Sequence, residues 1–282
     1  MSSHSPERRP LHAAGLVLAL ASAAALAALP ASSGRAPLRI CADPDNPPFS
    51  RSDQSGFENR IAALVGRALD ADVRYYWWPQ RRGFIRNTLD AGVCDVVVGV
   101  PAGSDGVLTT VPYYRAGYVF VYRPERVHGL ASFDDPRLPR LHVGVPLVGN
   151  DLAASPPGEA LAHRGITDNV IGYPPLGTTT VAERMMAALD DGTLDVALLW
   201  APQAAWLAGR QRFALTLAPA VDPRGTAPAA FPMAMGVRRD DVALRDALDA
   251  AIDRARPAID DVLREYGLAA ASGATRASAA RP

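Results

Sequence analysis

The sequence of 282 residues contains no lysine, only two cysteines and no excess of charge of either sign. All of its basic charge is therefore carried by arginine, and 29 basic residues balance 29 acidic ones. This balance argues against a nucleic-acid partner, because proteins that bind nucleic acids usually carry a basic excess. The length and the hydrophobic fraction of 49% are typical of a soluble globular chain with room for two modest domains.

Metal-binding and nucleophilic motifs are also missing from the sequence. No pair of histidines has the spacing of metal ligands, and no nucleophile has an evident base beside it. We therefore expect no metal, no cofactor and no catalytic residues. The five histidines are scattered at His4, His12, His128, His142 and His163.

Residues 1–34 have the pattern of a cleavable export signal. Arg8 and Arg9 precede an apolar, alanine-rich run over 13–29, and small residues follow over 31–34. A membrane anchor is the alternative, because the run is nearly long enough to span a bilayer. The small-residue site favours cleavage. We therefore expect a mature chain that is periplasmic and has no contact with the membrane after cleavage.

The cysteines, Cys41 and Cys94, would be exported with the chain, and export permits disulfides. Cys41 lies toward the end of the first predicted strand, whereas Cys94 opens a later one. In adjacent parallel strands these positions would differ in height by ~13 Å, and bonded cysteines need Cα atoms within about 7 Å. The pattern favours two buried thiols, with a disulfide as the alternative.

A short motif, L-D-x-G-x-x-D-V, occurs at 89–96 and again at 189–196. In each copy the glycine is a helix stop, and an apolar run follows, over 96–100 and 196–200. Runs that are apolar on both faces are typical of parallel strands covered by helices. The sequence therefore predicts two similar α/β units.

The order of the predicted elements indicates two lobes, each a mostly parallel sheet flanked by helices. Lobe 1 is discontinuous, over 37–122 and 232–268, and lobe 2 is inserted over 127–221. Two crossing segments between the lobes make a hinge with a cleft. Residues 269–282 are predicted to be a disordered tail.

Helix ends are predicted from local signals. Capping boxes at Ser55 to Glu58 and at Thr180 to Glu183 each open a helix. A further helix is predicted over 82–91. Pro257 divides the last helical stretch into two helices.

This layout resembles the periplasmic solute-binding proteins of the polar amino-acid type (solute-binding protein family 3, the type II or Venus flytrap fold). The resemblance rests on Leu38 to Asp43, Pro48-Phe49, Gly56 to Glu58, Asp95 to Gly99 and Pro112 to Tyr114. Amino-acid receptors of that type carry an arginine that grips the ligand carboxylate and an aspartate for its ammonium group. The stretch that corresponds to the arginine, 103–107, contains no arginine, and the stretch that corresponds to the aspartate, 199–202, contains no aspartate. An unpaired zwitterion would lose several kcal/mol in such a cleft, so we do not expect an amino-acid receptor.

A narrower resemblance covers longer and more unusual segments. The stretches 77–89, 94–101, 148–151 and 162–166 are similar to the J proteins of methanol-oxidation operons, of the MxaJ/XoxJ type. The resemblance implies a non-enzymatic periplasmic accessory protein for a PQQ-dependent methanol or alcohol dehydrogenase, with that quinoprotein as the partner. One alternative is a transporter receptor for a small organic solute that is not an amino acid. A third option is a flytrap-fold enzyme resembling a dehydratase, for which Glu58 or Asp43 would be the acid.

Candidate residues for the cleft or the partner surface follow from position and chemistry, and each also has a structural interpretation. Two arginines at a helix N-terminus indicate an anion or an acidic partner surface, or else paired surface charges. The aromatic candidates are partner anchors or cleft walls, or else packing residues. The polar candidates are ligand contacts, or else turn and capping residues. The candidates are Asp43, Trp78, Arg81, Arg82, Asn150, Asp151 and Trp200.

Overall fold

The structure of the protein is a computed structural model that describes residues 36–80, 83–148, 152–175, 179–228 and 230–268. All of these residues belong to the unit that begins at Arg35. The predicted export signal, 1–34, and the predicted tail, 269–282, lie outside the described residues.

The elements alternate between strands and helices along the chain. The first half contains β1 (Pro37–Ala42), β2 (Asp45–Asn46), β3 (Ser50–Arg51), α1 (Phe57–Ala68), β4 (Asp72–Trp77), α2 (Phe84–Asn87), β5 (Val96–Pro101), β6 (Leu108–Thr109), β7 (Tyr114–Ala116) and β8 (Tyr118–Tyr122). The second half contains a 3-10 turn (Leu138–Arg140), β9 (Val143–Val148), β10 (Ala153–Ala154), α3 (Pro156–Ala162), β11 (Val170–Tyr173), α4 (Val181–Asp191), β12 (Val196–Trp200), α5 (Ala201–Ala208), β13 (Thr216–Pro219), β14 (Phe231–Val237) and α6 (Val242–Glu265).

Two mixed sheets form the architecture, which confirms the predicted two-lobed α/β class. The first sheet has the order β4-β1-β5-β14-β6, and β7 also pairs with β14. Its first three strands are parallel, whereas β14 is antiparallel to its neighbours. The second sheet has the order β10-β9-β12-β8-β13, and β11 pairs with β9. Here β9, β11 and β12 are parallel, and β8 is antiparallel.

The chain crosses between the sheets twice. It leaves the first sheet at Ala116, enters the second at Tyr118, and returns between Pro219 and Phe231. Strand β8 therefore belongs to the second sheet, whereas the sequence-based boundary placed residues 118–122 in lobe 1. Both crossings lie at the ends of strands, so the space between the sheets is bordered by strand termini.

In both sheets, the aspartate of the repeated motif accepts a hydrogen bond from a backbone amide at the neighbouring parallel strand. Asp95 precedes β5, and its carboxylate accepts a bond from the amide of Arg39 in β1 at 3.3 Å. Asp195 precedes β12, and its carboxylate accepts a bond from the amide of His142, just before β9, at 2.8 Å. Each aspartate thus aligns its own strand with the parallel strand beside it. This shared register explains the recurrence of the motif after 100 residues.

The predicted capping box at Thr180 is confirmed, since its hydroxyl accepts a bond from the amide of Glu183 and α4 ends at Gly192 with φ 84°. The predicted box at Ser55 is wrong by one residue. The N-cap of α1 is Gly56, and Asn59 reaches back to accept a bond from the Gly56 amide at 3.2 Å. Glu58 therefore takes no part in capping.

Two other helix predictions are wrong in extent. Helix α2 has four residues, because the hydroxyl of Thr88 bonds the carbonyl of Phe84 at 2.6 Å and replaces the amide that a longer helix would use. The last helix, by contrast, is continuous through Pro257. A proline inside a helix costs ~3 kcal/mol, and burial of one apolar stripe along the whole helix offsets that cost. The stripe consists of Leu248, Ala251, Ile252, Ile259, Val262 and Leu263.

Cys41 and Cys94 form a disulfide, with Cα atoms 5.5 Å apart, so the expectation of two free thiols is wrong. The prediction treated Cys94 as part of a straight strand. Strand β5 begins only at Val96, opposite Ile40, and Cys94 lies in the irregular segment before it. This irregular segment brings Cys94 next to Cys41, and both are buried with Phe84 and Leu89.

None of the helices within the described ranges combines the length and apolarity that crossing a bilayer requires. In the same part of the chain, no three metal-ligating side chains come together.

Candidate functional site

A cavity of about 370 Å³ lies between the two sheets. It is bordered by the loop after β1, the start of α1, the strand ends at both crossings and the first turns of α3 and α5. Four aromatic rings and four polar side chains dominate its wall. They are Phe49, Tyr118, Trp200 and Phe231, and Asn46, Glu58, Gln80 and Gln203.

Three of the rings hold one another in a continuous wall. Trp200 ends β12, opposite Tyr118 in β8, and the two rings meet edge to face at 5.2 Å. On its other side, Trp200 contacts Phe231, the first residue of β14, at 5.6 Å. Because Phe231 belongs to the first sheet and Trp200 to the second, the wall also joins the sheets. Trp200 therefore packs between the lobes and lines the cavity, and its role in binding stays a prediction.

Glu58 is the acidic group of the cavity. It lies in the first turn of α1 and is 9% exposed. Its carboxyl rests against β5 at Gly99, where a Cβ atom would overlap it, and Gly99 has φ 79°. The glycine is therefore required twice, for its backbone angle and for the space above it.

The surroundings of Glu58 keep its carboxyl protonated. Burial raises its pKa to about 8, against a weaker opposing effect of the Tyr114 hydroxyl. Among the described residues, neither the Tyr114 hydroxyl nor that of Tyr113 has a hydrogen-bond partner, and both are buried. Burial, together with the Glu58 charge, raises the pKa of each tyrosine. At pH 7 the group is thus a neutral acid surrounded by phenols.

The sequence predicts Glu58 as a cleft acid for the dehydratase option alone, because its position also fits a capping box. The available signal was Asn59, which caps equally well from the next position and leaves Glu58 free. The cleft acid considered for the dehydratase option is therefore present at Glu58.

Replacing Glu58 with glutamine is expected to stabilise the protein at neutral pH. The unfolded chain ionises this carboxyl near 4.5, whereas the folded chain keeps the proton to about 8. The contribution of Glu58 to stability therefore falls as the pH rises between these values. We expect Glu58→Gln to raise the free energy of unfolding by about 1–3 kcal/mol at pH 7. Urea denaturation at pH 4 is the control, where both proteins carry a neutral side chain and should unfold alike.

Asp43 organises the loop at the cavity rather than facing its interior. Its carboxylate accepts bonds from the amides of Asp45 at 2.9 Å and Gln80 at 2.6 Å. Gln80 in turn accepts a bond from the side chain of Asn46 at 3.1 Å. Asp43 thus shapes the turn, as its structural interpretation predicts, and also ties that loop to the end of the aromatic strand.

Trp78 follows β4, the edge strand of the first sheet, and is not among the described residues that line the cavity. Its ring stacks on Tyr76 and remains 39% exposed. Trp77 points to the opposite face, where it stacks on Tyr75 at 4.5 Å and packs against the buried core that the first sheet forms with α1 and α6. Of the remaining candidates, Arg81, Arg82, Asn150 and Asp151 lie outside the described residues.

Two α/β sheets joined by two crossings, with a lined cavity between them, define a periplasmic binding protein. No protein-family model matches the chain. It is 34% identical to Protein MoxJ of Methylorubrum extorquens, over 82% of this chain and 80% of the relative. It is 30% identical to Protein MoxJ of Paracoccus denitrificans, over 88% of this chain and 94% of the relative.

Among solved structures, the periplasmic binding protein XoxJ of Methylobacterium extorquens AM1 is 34% identical, with a TM-score of 0.68. The match covers 82% of this chain and 97% of the XoxJ chain. The protein therefore belongs to the MoxJ/XoxJ family of periplasmic binding proteins, which confirms the resemblance seen in the sequence.

Proposed function

We propose that this protein is a non-enzymatic accessory protein of the periplasm that binds a PQQ-dependent methanol or alcohol dehydrogenase and assists its maturation or activity. Membership of the MoxJ/XoxJ family carries the proposal, because the J proteins belong to methanol-oxidation operons, as the sequence resemblance implies. In this proposal the leader is removed at the small residues 31–34.

The partner surface that we propose is the aromatic edge formed by β4 and Trp78. Strand β4 pairs with β1 on one side and ends the sheet on the other. Tyr75 and Trp77 stack on one face of this strand, and Tyr76 and Trp78 stack on the other. An exposed tryptophan that is held by a stacked neighbour is a low-entropy anchor, and tryptophan is enriched among residues that dominate binding energy. Arg81 and Arg82 follow Trp78 in the sequence after two intervening residues and lie outside the described residues, so their contribution of charge to this surface is part of the proposal.

The test is direct binding between the mature chain and the purified dehydrogenase of the same cells, with and without its quinone, measured by biolayer interferometry. We expect Trp78→Ala to weaken binding at least about tenfold, as for a residue that dominates an interface. Reversal of charge at Arg81 and Arg82 should slow association, and more so at low salt.

Leu152→Ala is the matched control, because Leu152 is comparably exposed at 43% but follows the second sheet's strand β9. It should leave the affinity within about twofold, as expected for a surface site away from the interface. Absence of binding to either form of the dehydrogenase at every salt concentration would contradict the proposed function. Equal losses from Trp78→Ala and Leu152→Ala would contradict only the proposed surface.

A receptor for a small organic solute is the second candidate function, and the lined cavity between the sheets favours it. A transporter subunit as the binding partner, in place of the dehydrogenase, would support this candidate.

A further inference from the structure

The described wall of the cavity has an unusual combination of chemistry. It contains four aromatic rings and the carboxyl of Glu58, and none of its described members carries a positive charge. Aromatic faces are electron-rich, and they attract a cation that sits within about 6 Å of the ring centre. The aromatic rings and the carboxyl around this cavity therefore both favour a cationic ligand.

Glu58 reaches this cavity from the first turn of α1. The titratable groups that face it are Tyr75 on β4 and Tyr113 and Tyr114 at β7, and Asp43 shares a small adjoining pocket with it. None of these groups is cationic. An ionised Glu58 would therefore take its counter-charge from a ligand, and the N-terminus of α1 would stabilise that ionised form.

We infer that the cavity between the sheets binds a small organic ammonium ion, with Glu58 as its anionic partner and the rings of Phe49, Tyr118, Trp200 and Phe231 around its apolar part. This site is separate from the edge of β4 and does not depend on the dehydrogenase as a partner.

Anionic and neutral ligands fit the same wall less well. A carboxylate ligand would find amide N–H donors on Gln80 and Gln203, but it would lie beside the carboxyl of Glu58 with no described cation to balance its charge. A neutral alcohol would accept or donate one hydrogen bond, but it would gain nothing from the aromatic faces beyond ordinary packing.

Proton release is the signature of this binding. The empty site holds its proton up to about pH 8, so an ammonium ion that pairs with the carboxylate must displace that proton at pH 7. Linkage then requires the dissociation constant to fall about tenfold between pH 6 and pH 7 and to level off above about 8. A neutral ligand that accepts a bond from the protonated acid would show the opposite trend.

The experiment uses the mature chain and three probes of matched shape, benzylammonium, benzyl alcohol and benzoate, with tetramethylammonium as a second cation. Isothermal titration in two buffers of different ionisation enthalpy counts the protons released. We expect benzylammonium to bind at least about tenfold more tightly than benzyl alcohol, with release of close to one proton at pH 7. Benzoate should bind more weakly than either.

Glu58→Gln should abolish both the proton release and the pH dependence of binding, and it should weaken the binding of benzylammonium at least about tenfold. Trp200→Ala should weaken the binding of both ammonium probes. Trp206→Ala is the matched control, because Trp206 lies on the same stretch of chain but lines a different groove, where Arg210 covers its ring. It should leave binding unchanged.

Several results would overturn the inference. They are equal affinity for benzyl alcohol and benzylammonium, tighter binding of benzoate, and benzylammonium binding without proton release. The inference is also overturned if neither ammonium probe produces a heat of binding or shifts the melting temperature. Binding of the dehydrogenase is a separate measurement, so its result does not decide this one.

Discussion

Asp222→Ala is expected to lower the free energy of unfolding by about 3–5 kcal/mol, because it leaves a buried arginine without its main partner. The side chains of Arg164 and Asp222 are 3% and 1% exposed, and they form an ion pair. Asp222 also accepts bonds from the hydroxyl of Thr226 at 2.8 Å and the amide of Ala227 at 2.7 Å. Urea or thermal denaturation of the two proteins at pH 7 measures the difference.

The same carboxylate makes the folded state acid-sensitive. Burial by itself would raise the pKa of Asp222, but its bonds from Thr226, Arg164 and two backbone amides hold the pKa well below the ordinary value. The stability that it contributes is therefore present above the ordinary carboxyl pKa near 3.8 and is lost as the pH falls. The difference in free energy of unfolding between wild type and Asp222→Ala should therefore become smaller in acid. A difference that does not change with pH would contradict the conclusion that the ionised Asp222 stabilises the fold.

Asp134 provides the matched control. It pairs with the same arginine, Arg164, at 2.8 Å, but its side chain is 35% exposed. Because a partly exposed pair contributes little, Asp134→Ala should cost less than about 1 kcal/mol. If Asp134→Ala lowers the free energy of unfolding as much as Asp222→Ala does, then every ion pair of Arg164 contributes alike, and the buried pair with Asp222 has no special role.

The paired substitution Cys41→Ala/Cys94→Ala is the other change with a large expected effect. The disulfide closes a loop with a sequence separation of 53 residues, and loop-closure entropy then predicts a loss of about 4 kcal/mol. The loop contains α1, β4 and Trp78, so both the cavity acid and the proposed partner surface lie inside the constrained segment.

Reductant distinguishes the disulfide from simple packing. Wild type should lose stability in reductant and approach the double alanine variant, which should itself be insensitive. If wild type melts at the same temperature in reducing and oxidising buffer, the crosslink contributes nothing. Each cysteine is also buried against Phe84 and Leu89, so the alanine variant alone does not separate the two effects.

The two acids, Glu58 and Asp222, respond to pH in opposite directions for one physical reason. Both are buried, and burial disfavours charge on each. Asp222 receives four hydrogen-bond donors, including a guanidinium, and remains ionised. Among the described residues, the Tyr114 hydroxyl is the group that opposes the effect of burial on Glu58, and the pKa of Glu58 stays raised, to about 8. The difference makes Asp222 a structural group and leaves Glu58 available for a ligand.

The predicted class follows from patterns that are local or nearly so. The motif at 89–96 and 189–196 needs only a helix or turn, a glycine with positive φ and a strand, and both copies have that glycine and strand. The Thr180 capping box is likewise decided within four residues. Long, unusual segments such as 77–89 sufficed to place the chain in its family, because family resemblance requires no knowledge of contacts.

The errors occurred where distant residues compete for the same atoms. Ser55 to Glu58 satisfies a capping pattern, but Asn59 caps Gly56 instead, and the amides of Phe57 and Glu58 donate to carbonyls of the preceding loop, so the helix starts one residue later. Pro257 is a helix breaker by propensity, but residues on both sides of it in α6 are buried in the core of the first sheet, and this packing keeps the helix continuous. A local conformational preference is worth about 3 kcal/mol or less. Burying a whole stripe of apolar side chains stabilises the folded state by more than that.

The sequence by itself determined the two-lobed class, the family and the aromatic segment around Trp78, since each depends on the order of residues along the chain. Only the tertiary structure decided that Cys41 and Cys94 are bonded, that Trp200 packs on Tyr118 of its own sheet and reaches Phe231 of the other, and that Glu58 lines the same cavity as a buried acid. These features depend on burial and on distances between residues far apart in sequence, and the folded arrangement of the two sheets sets both.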